Sequence, residues 1–465
     1  MFRTLLALVA LALPFPAVAQ ALTPAEATAI DKAVGEALAK TGAPSAEVAV
    51  VRGGTLVLSH AWGKAGETMP VARADMPYQV ASNSKQFLAA LMLLLEDDHK
   101  LSLDDHVAKW LPGISGGETI TLRELLSHTA GLQDYWPQDY LFPTMLTPTT
   151  PEQIAARWAR KPLDYAPRSR WQYSNTGYVV AGLIAEKAGS KPLWRQFEER
   201  IFRPLGIHPL PLDATNAPGF PQGYHRNALG PVRVAAPPAK GWLWAAGELS
   251  MTAAEFARWD IARLNRTLLT PQDWTVQETP VALADGTTTQ YGLGVYNHIV
   301  DGRRVIDHGG ESVGFLSQNS VYPDSRAAIV VLTNGDFADA PGMITKAIAD
   351  IIMPKAAAPD AGETARTEDA KAELAALAAG RFEPALFTDN ARYYFSPEAR
   401  ADYETSLGPL GAPTSFEPTR SPRLRGGFVN RNFRMAYGAT RLVLVTYAEP
   451  GPHGRWEQFI VMPAE

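Results

Sequence analysis

Ser82-Asn83-Ser84-Lys85 sets a serine hydroxyl and a lysine amine three residues apart, directly ahead of the apolar run Phe87-Leu88-Ala89-Ala90-Leu91-Met92-Leu93-Leu94-Leu95. On a helix, positions i and i+3 share a face, so this spacing places Lys85 beside the Ser82 hydroxyl. A serine hydroxyl becomes a useful nucleophile only when a base accepts its proton, and a desolvated lysine can be neutral enough to help. A helix N-terminus adds free N–H groups and the positive end of a dipole, both of which favour a developing oxyanion. The bland alternative is an N-cap serine followed by a surface lysine. The all-apolar helix argues against it, because an unpaired lysine there would be costly to bury.

Tyr173-Ser174-Asn175 lies in a loop that runs into the apolar stretch Val179 to Ala185. A phenol with a pKa of about 10 acts as a base near neutrality only if a cation such as Lys85 depresses it. Asn175 offers an amide that can orient a substrate or the lysine. Alone, the Tyr-x-Asn pattern reads more readily as a capping loop than as a catalytic one. His308-Gly309-Gly310 ends the second strand of a hairpin signalled by Asp301-Gly302. Glycines there let a substrate backbone lie against a sheet edge.

Other patterns lead elsewhere and fail on context. Gly310-Glu311-Ser312-Val313-Gly314 fits Gly-x-Ser-x-Gly, but a nucleophile elbow needs a helix next, and Phe315 to Tyr322 reads as a strand. Ser312 is therefore read as a turn residue. His99, Asp104, Asp105 and His106 read as a solvated turn rather than a metal centre, and no motif calls for a metal or cofactor. Trp242 and Trp244 suit either a cleft wall or a core rim.

These residues need a scaffold, and 465 residues at roughly 150 per domain suggest two or three folded units. Hydrophobic residues at 46% and charged residues at 20% exclude a largely disordered chain. A net charge of −5 without Lys/Arg runs argues against a nucleic-acid partner. Zero cysteines remove disulfides, thiol nucleophiles and Cys-ligated metals. Residues 1–19 have the short apolar run and Ala17-Val18-Ala19 end of a signal peptide, too short to span a bilayer, which implies export, most simply to a bacterial periplasm, with no stable membrane anchor.

A Pro- and Ala-rich stretch, 354–365, reads as a linker between a main unit, 20–353, and a small α+β unit, 366–465. In the main unit, strand-like segments Glu47 to Arg52 and Thr55 to Trp62 flank Gly53-Gly54, while Tyr291 to Val300, Arg303 to His308, Phe315 to Tyr322 and Ala327 to Asn334 lie near its other end. Helices are expected at Pro24 to Lys40, Ser84 to Glu96 and Ala340 to Met353. The expected class is α+β, with one antiparallel sheet built from both chain ends, flanked by helices and carrying a helical insertion. In the C-terminal unit, Glu368 to Ala379 reads as a helix, and Arg392 to Phe395, Leu442 to Tyr447 and Trp456 to Met462 read as strands.

Ser-x-x-Lys, then Tyr-x-Asn, then a strand-end His-Gly-Gly resembles the serine β-lactamase superfamily, specifically the class C-type branch that includes D-amino-acid peptidases and esterases. Leu125-Leu126-Ser127-His128-Thr129-Ala130-Gly131-Leu132 and Ala246-Gly247-Glu248-Leu249-Ser250-Met251-Thr252 extend the likeness. The resemblance implies a β-lactamase/DD-peptidase-like fold, with Ser82 as acylated nucleophile, Lys85 and Tyr173 as the proton-handling pair and Asn175 as an orienting group. It also implies a substrate edge at His308, Gly309, Gly310 and Glu311, with the backbone N–H groups of Ser82 and Glu311 forming the oxyanion hole. In β-lactamases the third motif usually begins with a lysine that helps hold the substrate carboxylate. The uncharged His308 favours an esterase or D-peptidase activity on a small-molecule or peptide substrate. The rival reading is a non-catalytic protein that binds peptidoglycan fragments or penicillin, although a pure binder has no need of the Ser82, Lys85 and Tyr173 trio.

Overall fold

The computed structural model describes residues 21–138, 140–353, 361–419 and 422–464. The segment 1–19, read as a signal peptide, lies outside them, as does most of the stretch read as a linker.

Two tight turns build the two ends of one sheet. Gly53-Gly54 joins β1 (Ser45–Arg52) to β2 (Thr55–Gly63), and Asp301-Gly302 joins β3 (Tyr296–Val300) to β4 (Arg303–Ser312). All four turn residues have positive φ, the twist a two-residue hairpin needs. With β5 (Phe315–Tyr322) and β6 (Ala327–Thr333) these form a six-stranded antiparallel sheet in the order β2-β1-β6-β5-β4-β3. The first strand thus pairs with the last, Val48 opposite Val331 and Val50 opposite Ile329.

Both faces of the central strands are covered. Val48, Val50, Ile329 and Val331 pack with residues of α1 (Pro24–Thr41) and of the helix Ala340–Ile352. Their neighbours Ala49, Val51, Val330 and Leu332 alternate to the opposite face, as strand geometry requires, and join the larger core. At the centre of that core runs α2 (Lys85–Asp97), whose residues Lys85 to Leu93 are all buried. One polar side chain fixes its rotation: Gln86 accepts from Trp259 Nε1 at 2.6 Å and from Arg263 Nη2 at 3.2 Å, and donates to Asn83 Oδ1 at 3.1 Å. A buried amide satisfied in this way specifies a single packing. The architecture is the α+β arrangement expected, a two-ended antiparallel sheet with a helical insertion.

Several local expectations need correction. The α-helix begins at Lys85, and Ser82 sits in a preceding 3₁₀ turn, Ala81–Ser84. Strand β3 starts at Tyr296, not Tyr291, and β4 continues past His308 to Ser312. Ser312 therefore belongs to the strand, its hydroxyl donating to Gln79 Oε1 at 2.8 Å, and the turn falls on Val313-Gly314.

In the C-terminal unit, residues 361–365, read as linker, open the helix Ala361–Ala378. Residues 392–394, read as strand, belong to the helix Asp389–Tyr394, because the Thr388 hydroxyl caps its first turn by accepting from Ala391 N. Phe395 then packs on Phe382, Phe387 and Tyr403. The strands Phe428–Tyr437, Thr440–Ala448 and Trp456–Pro463 form the rest of this unit's antiparallel sheet with two short edge strands, Ser415–Pro418 and Arg423–Arg425.

Candidate active site

The chain enters the site through a strained corner. Ala81 is buried with φ +47°, a conformation that costs roughly 1 kcal/mol or more and persists only where the surroundings impose it. Here they do. Asn83 Nδ2 donates to Ser317 Oγ on β5 at 2.9 Å, and Ser84 Oγ accepts from Leu249 N at 3.1 Å. The two residues between Ser82 and Lys85 are thus anchors, one on each side. With three residues per turn, the 3₁₀ segment stacks position i over i+3. Lys85 Nζ accordingly lies 2.9 Å from Ser82 Oγ.

Lys85 is fully buried, and its other contacts are Asn175 Oδ1 at 2.8 Å and the Ala246 carbonyl at 2.6 Å. Burial lowers its pKa to about 7, against partial support for the charge from Asp134. A neutral amine has two N–H donors and one lone pair. The amide oxygen and the carbonyl can only accept, so they take both donors and leave the lone pair for the Ser82 hydroxyl.

Tyr173 does not behave as the sequence suggested. Its buried hydroxyl faces Ser82 without a well-formed hydrogen bond to any described group. Lys85 Nζ stands 4.9 Å from its ring centroid, yet burial drives the phenol pKa well above the ordinary value. The phenol is therefore neutral, and Lys85 is the group with an accessible basic form. The His128 ring lies against Tyr173 at 4.2 Å and accepts from Ser174 N at 3.1 Å, fixing the loop.

The third motif supplies shape rather than charge. His308 is buried, its Nε2 2.9 Å from the Tyr291 hydroxyl and its Nδ1 against the Gly309 carbonyl. The carbonyl must accept, so Nδ1 carries the proton and Nε2 accepts from Tyr291. Burial and the Lys85 charge push its pKa down to about 4. At Gly310 a Cβ would overlap the Val80 carbonyl oxygen and the Ser317 hydroxyl, so glycine there lets β4 lie against the nucleophile turn.

An open cleft of about 670 Å³ brings together Ser82, Tyr173, Asn175, His308 and the Gly309-Gly310-Glu311 edge, with Lys85 behind them. The eight residues that the resemblance assigned to the site gather at this cleft, whereas Trp242 and Trp244 belong to the core and its rim. Two groups were missed. Asp134 accepts from Asn175 N at 3.1 Å and from Asn175 Nδ2 at 3.3 Å. An acid two residues beyond Leu132 carries no signal that separates it from a surface turn. The Ala246 carbonyl is backbone, invisible as a residue type, although it falls in one of the stretches that carried the resemblance.

Comparison with known proteins bears on the fold and the family. Penicillin-binding protein 4* of Bacillus subtilis is 26% identical over 305 residues, covering 62% of this chain and 67% of that protein. A D-aminopeptidase of Cereibacter sphaeroides is 28% identical over 305 residues, and the match spans 63% of this chain but only 57% of the relative's length. A D-stereospecific amidohydrolase from Streptomyces sp. superposes with a TM-score of 0.60 at 27% identity, over 69% of this chain and 97% of that one. The octameric penicillin-binding protein homologue from Pyrococcus abyssi, 18% identical, shares the fold over 94% of this chain and 96% of its own, with a TM-score of 0.61. The Beta-lactamase family model matches residues 30–351, well over half of the chain, and the protein belongs to that family.

Proposed function

We propose that the protein is a serine hydrolase that cleaves esters or amides through an acyl-enzyme. The observation that carries this reading is the buried Lys85 amine 2.9 Å from Ser82 Oγ, with its remaining donors committed to Asn175 and Ala246. Neutral Lys85 takes the Ser82 proton as Oγ bonds to the substrate carbonyl carbon. The resulting oxyanion is held by the backbone N–H groups of Ser82 and Glu311, which border the same cleft. The bond to the leaving group breaks as the proton passes from Lys85 to it, with the neutral Tyr173 hydroxyl as relay. Water then attacks the acyl carbon and gives its proton to the same amine, which returns it to Ser82 Oγ as the acyl–oxygen bond breaks, freeing the acid and restoring the hydroxyl and the neutral amine.

The D-aminopeptidase and the D-stereospecific amidohydrolase among the relatives support an amide or ester of a D-amino acid as substrate. A neutral, internally bonded His308 supports these activities over efficient β-lactam hydrolysis. Export to the periplasm is inferred from the sequence of residues 1–19, and among the described residues no helix is long and apolar enough to cross a membrane. The test is a panel of aryl esters, D- and L-aminoacyl anilides and β-lactams with wild type and Ser82→Ala. Turnover of D-configured amides or esters that disappears in Ser82→Ala supports the reading, and turnover kept by Ser82→Ala contradicts it.

A further inference from the structure

A second cavity, about 910 Å³, adjoins the cleft and shares Gln172, Tyr173, Tyr296, Gly309 and Gln318 with it. Its far wall comes from the other unit. The strand Arg423–Arg425 and the start of Phe428–Tyr437 meet at Gly426-Gly427, both with positive φ, and this hairpin tip lines the cavity. A Cβ on either glycine would meet nothing within 4 Å, so their role is the narrow turn itself. The tip is tied to the main unit through Gln290 Nε2, which donates to the Pro422 carbonyl at 3.0 Å.

Three guanidinium side chains line this cavity: Arg170 from the loop before Tyr173, and Arg423 and Arg425 from the hairpin. No carboxylate among the described residues lies within ion-pair distance of any of them, and Arg425 is oriented by the Tyr447 hydroxyl at 3.1 Å. The two acids in the same wall are already engaged. Asp307 accepts from Gln318 Nε2 at 3.2 Å and lies 3.0 Å from His298 Nε2, and Asp285 accepts from Thr287 N at 2.9 Å and from its hydroxyl at 2.7 Å. Arginine forks left without an acidic partner, in a cavity that adjoins the cleft lined by Ser82, suit a planar anion.

We propose that the C-terminal unit completes the substrate site, and that Arg423 and Arg425, with Arg170, bind a carboxylate on the substrate whose scissile carbonyl is presented to Ser82. This rests on the serine-hydrolase reading for the reaction, but not for the binding. The charge that selects the substrate then sits on the hairpin and not on the third motif, and the second unit is a specificity element.

The test uses two fluorophosphonates on the full chain, one with an alkyl tail ending in a carboxylate and the other its methyl ester. The ratio of their labelling rates at Ser82 should be about ten in wild type and fall to about one in R423Q/R425Q, with R423Q alone between them. Equal rates in wild type, or an undiminished ratio in the double variant, overturn the proposal. If neither probe labels wild type, it is the serine reading that has failed. The subsite is then read by titrating N-acetyl-D-alanyl-D-glutamate into Ser82→Ala by calorimetry. Binding weakened at least about tenfold by R423Q/R425Q supports the subsite, and absent or unaltered binding overturns it.

Discussion

The Asp134 carboxylate accepts both the backbone and the side-chain N–H of Asn175, at 3.1 and 3.3 Å. A carboxylate can only accept, so the amide nitrogen faces Asp134 and the amide oxygen faces Lys85, 2.8 Å away. Asp134 thus positions the lysine through an intermediary and also lends its charge to the ammonium. Replacing it with asparagine should leave the fold intact and lower kcat/KM by about 10²-fold through misplacement. The acid limb of the pH profile should also move down, because the ammonium loses a stabilising neighbour. A loss of rate with an unmoved limb would reduce Asp134 to a packing role.

Lys85, lowered by burial to about 7, makes the pH dependence specific. The basic amine is present above that value, so kcat/KM should rise with pH through about 7 and level off. Lys85→Arg, charged at every accessible pH, should lose at least about 10²-fold of the rate. An acid limb centred near the ordinary carboxylate range would assign the base elsewhere.

The same shift has a stability consequence in the pH window above it. Between about 7 and the ordinary value of 10.5, the unfolded chain holds a proton at Lys85 that the folded chain has lost. Stability therefore rises with pH across that window, by at most about 1.4 kcal/mol per pH unit. Denaturant unfolding of wild type and Lys85→Met over this range should show wild type gaining stability relative to the variant as pH rises. A constant difference would mean that the amine is charged in the folded protein.

Tyr173 separates chemistry from stability. Its buried hydroxyl makes no well-formed hydrogen bond, so Tyr173→Phe should not destabilise the fold and should raise stability by up to about 1–3 kcal/mol as the unpaired group is removed. If it relays the proton, acylation should slow by about 10²-fold or more. Unchanged kinetics would remove Tyr173 from the mechanism.

Gly309 and Gly310 offer a paired control. Gly310→Ala drives a methyl group into the Val80 carbonyl beneath the nucleophile turn and should cost about 1–3 kcal/mol along with most of the activity. At Gly309 the nearest atoms, Gln318 Oε1 at 3.5 Å and the Ser317 carbonyl at 3.8 Å, are in ordinary contact, so Gly309→Ala should fold normally. Thermal unfolding of both variants checks the contrast.

What could be read from the sequence follows from how local each signal is. Gly53-Gly54 and Asp301-Gly302 each encode a hairpin within a few residues, so both ends of the sheet were visible, and the all-apolar Phe87 to Leu95 marked the central helix. Ser82 and Lys85 were legible because a single turn joins them. Their partners are not local: Asp134 and the Ala246 carbonyl reach the site through tertiary packing, and no pattern of residue types announces either. The ionisation of Tyr173 was misjudged because the proximity of a cation could be anticipated from the motifs, while the depth of burial could not. Arg392 to Phe395 has the aromatic content of a strand, and the Thr388 cap and the packing of Phe395 made most of it helical instead.

The central claim is that Ser82 is a nucleophile activated by Lys85, and the most direct measurement is intact mass after exposure to a simple fluorophosphonate, with Ser82→Ala alongside. The account predicts one covalent adduct on wild type, located at Ser82 by peptide mapping, and none on a variant that retains the wild-type circular dichroism. An unlabelled wild type, or an equal adduct on Ser82→Ala, would contradict it.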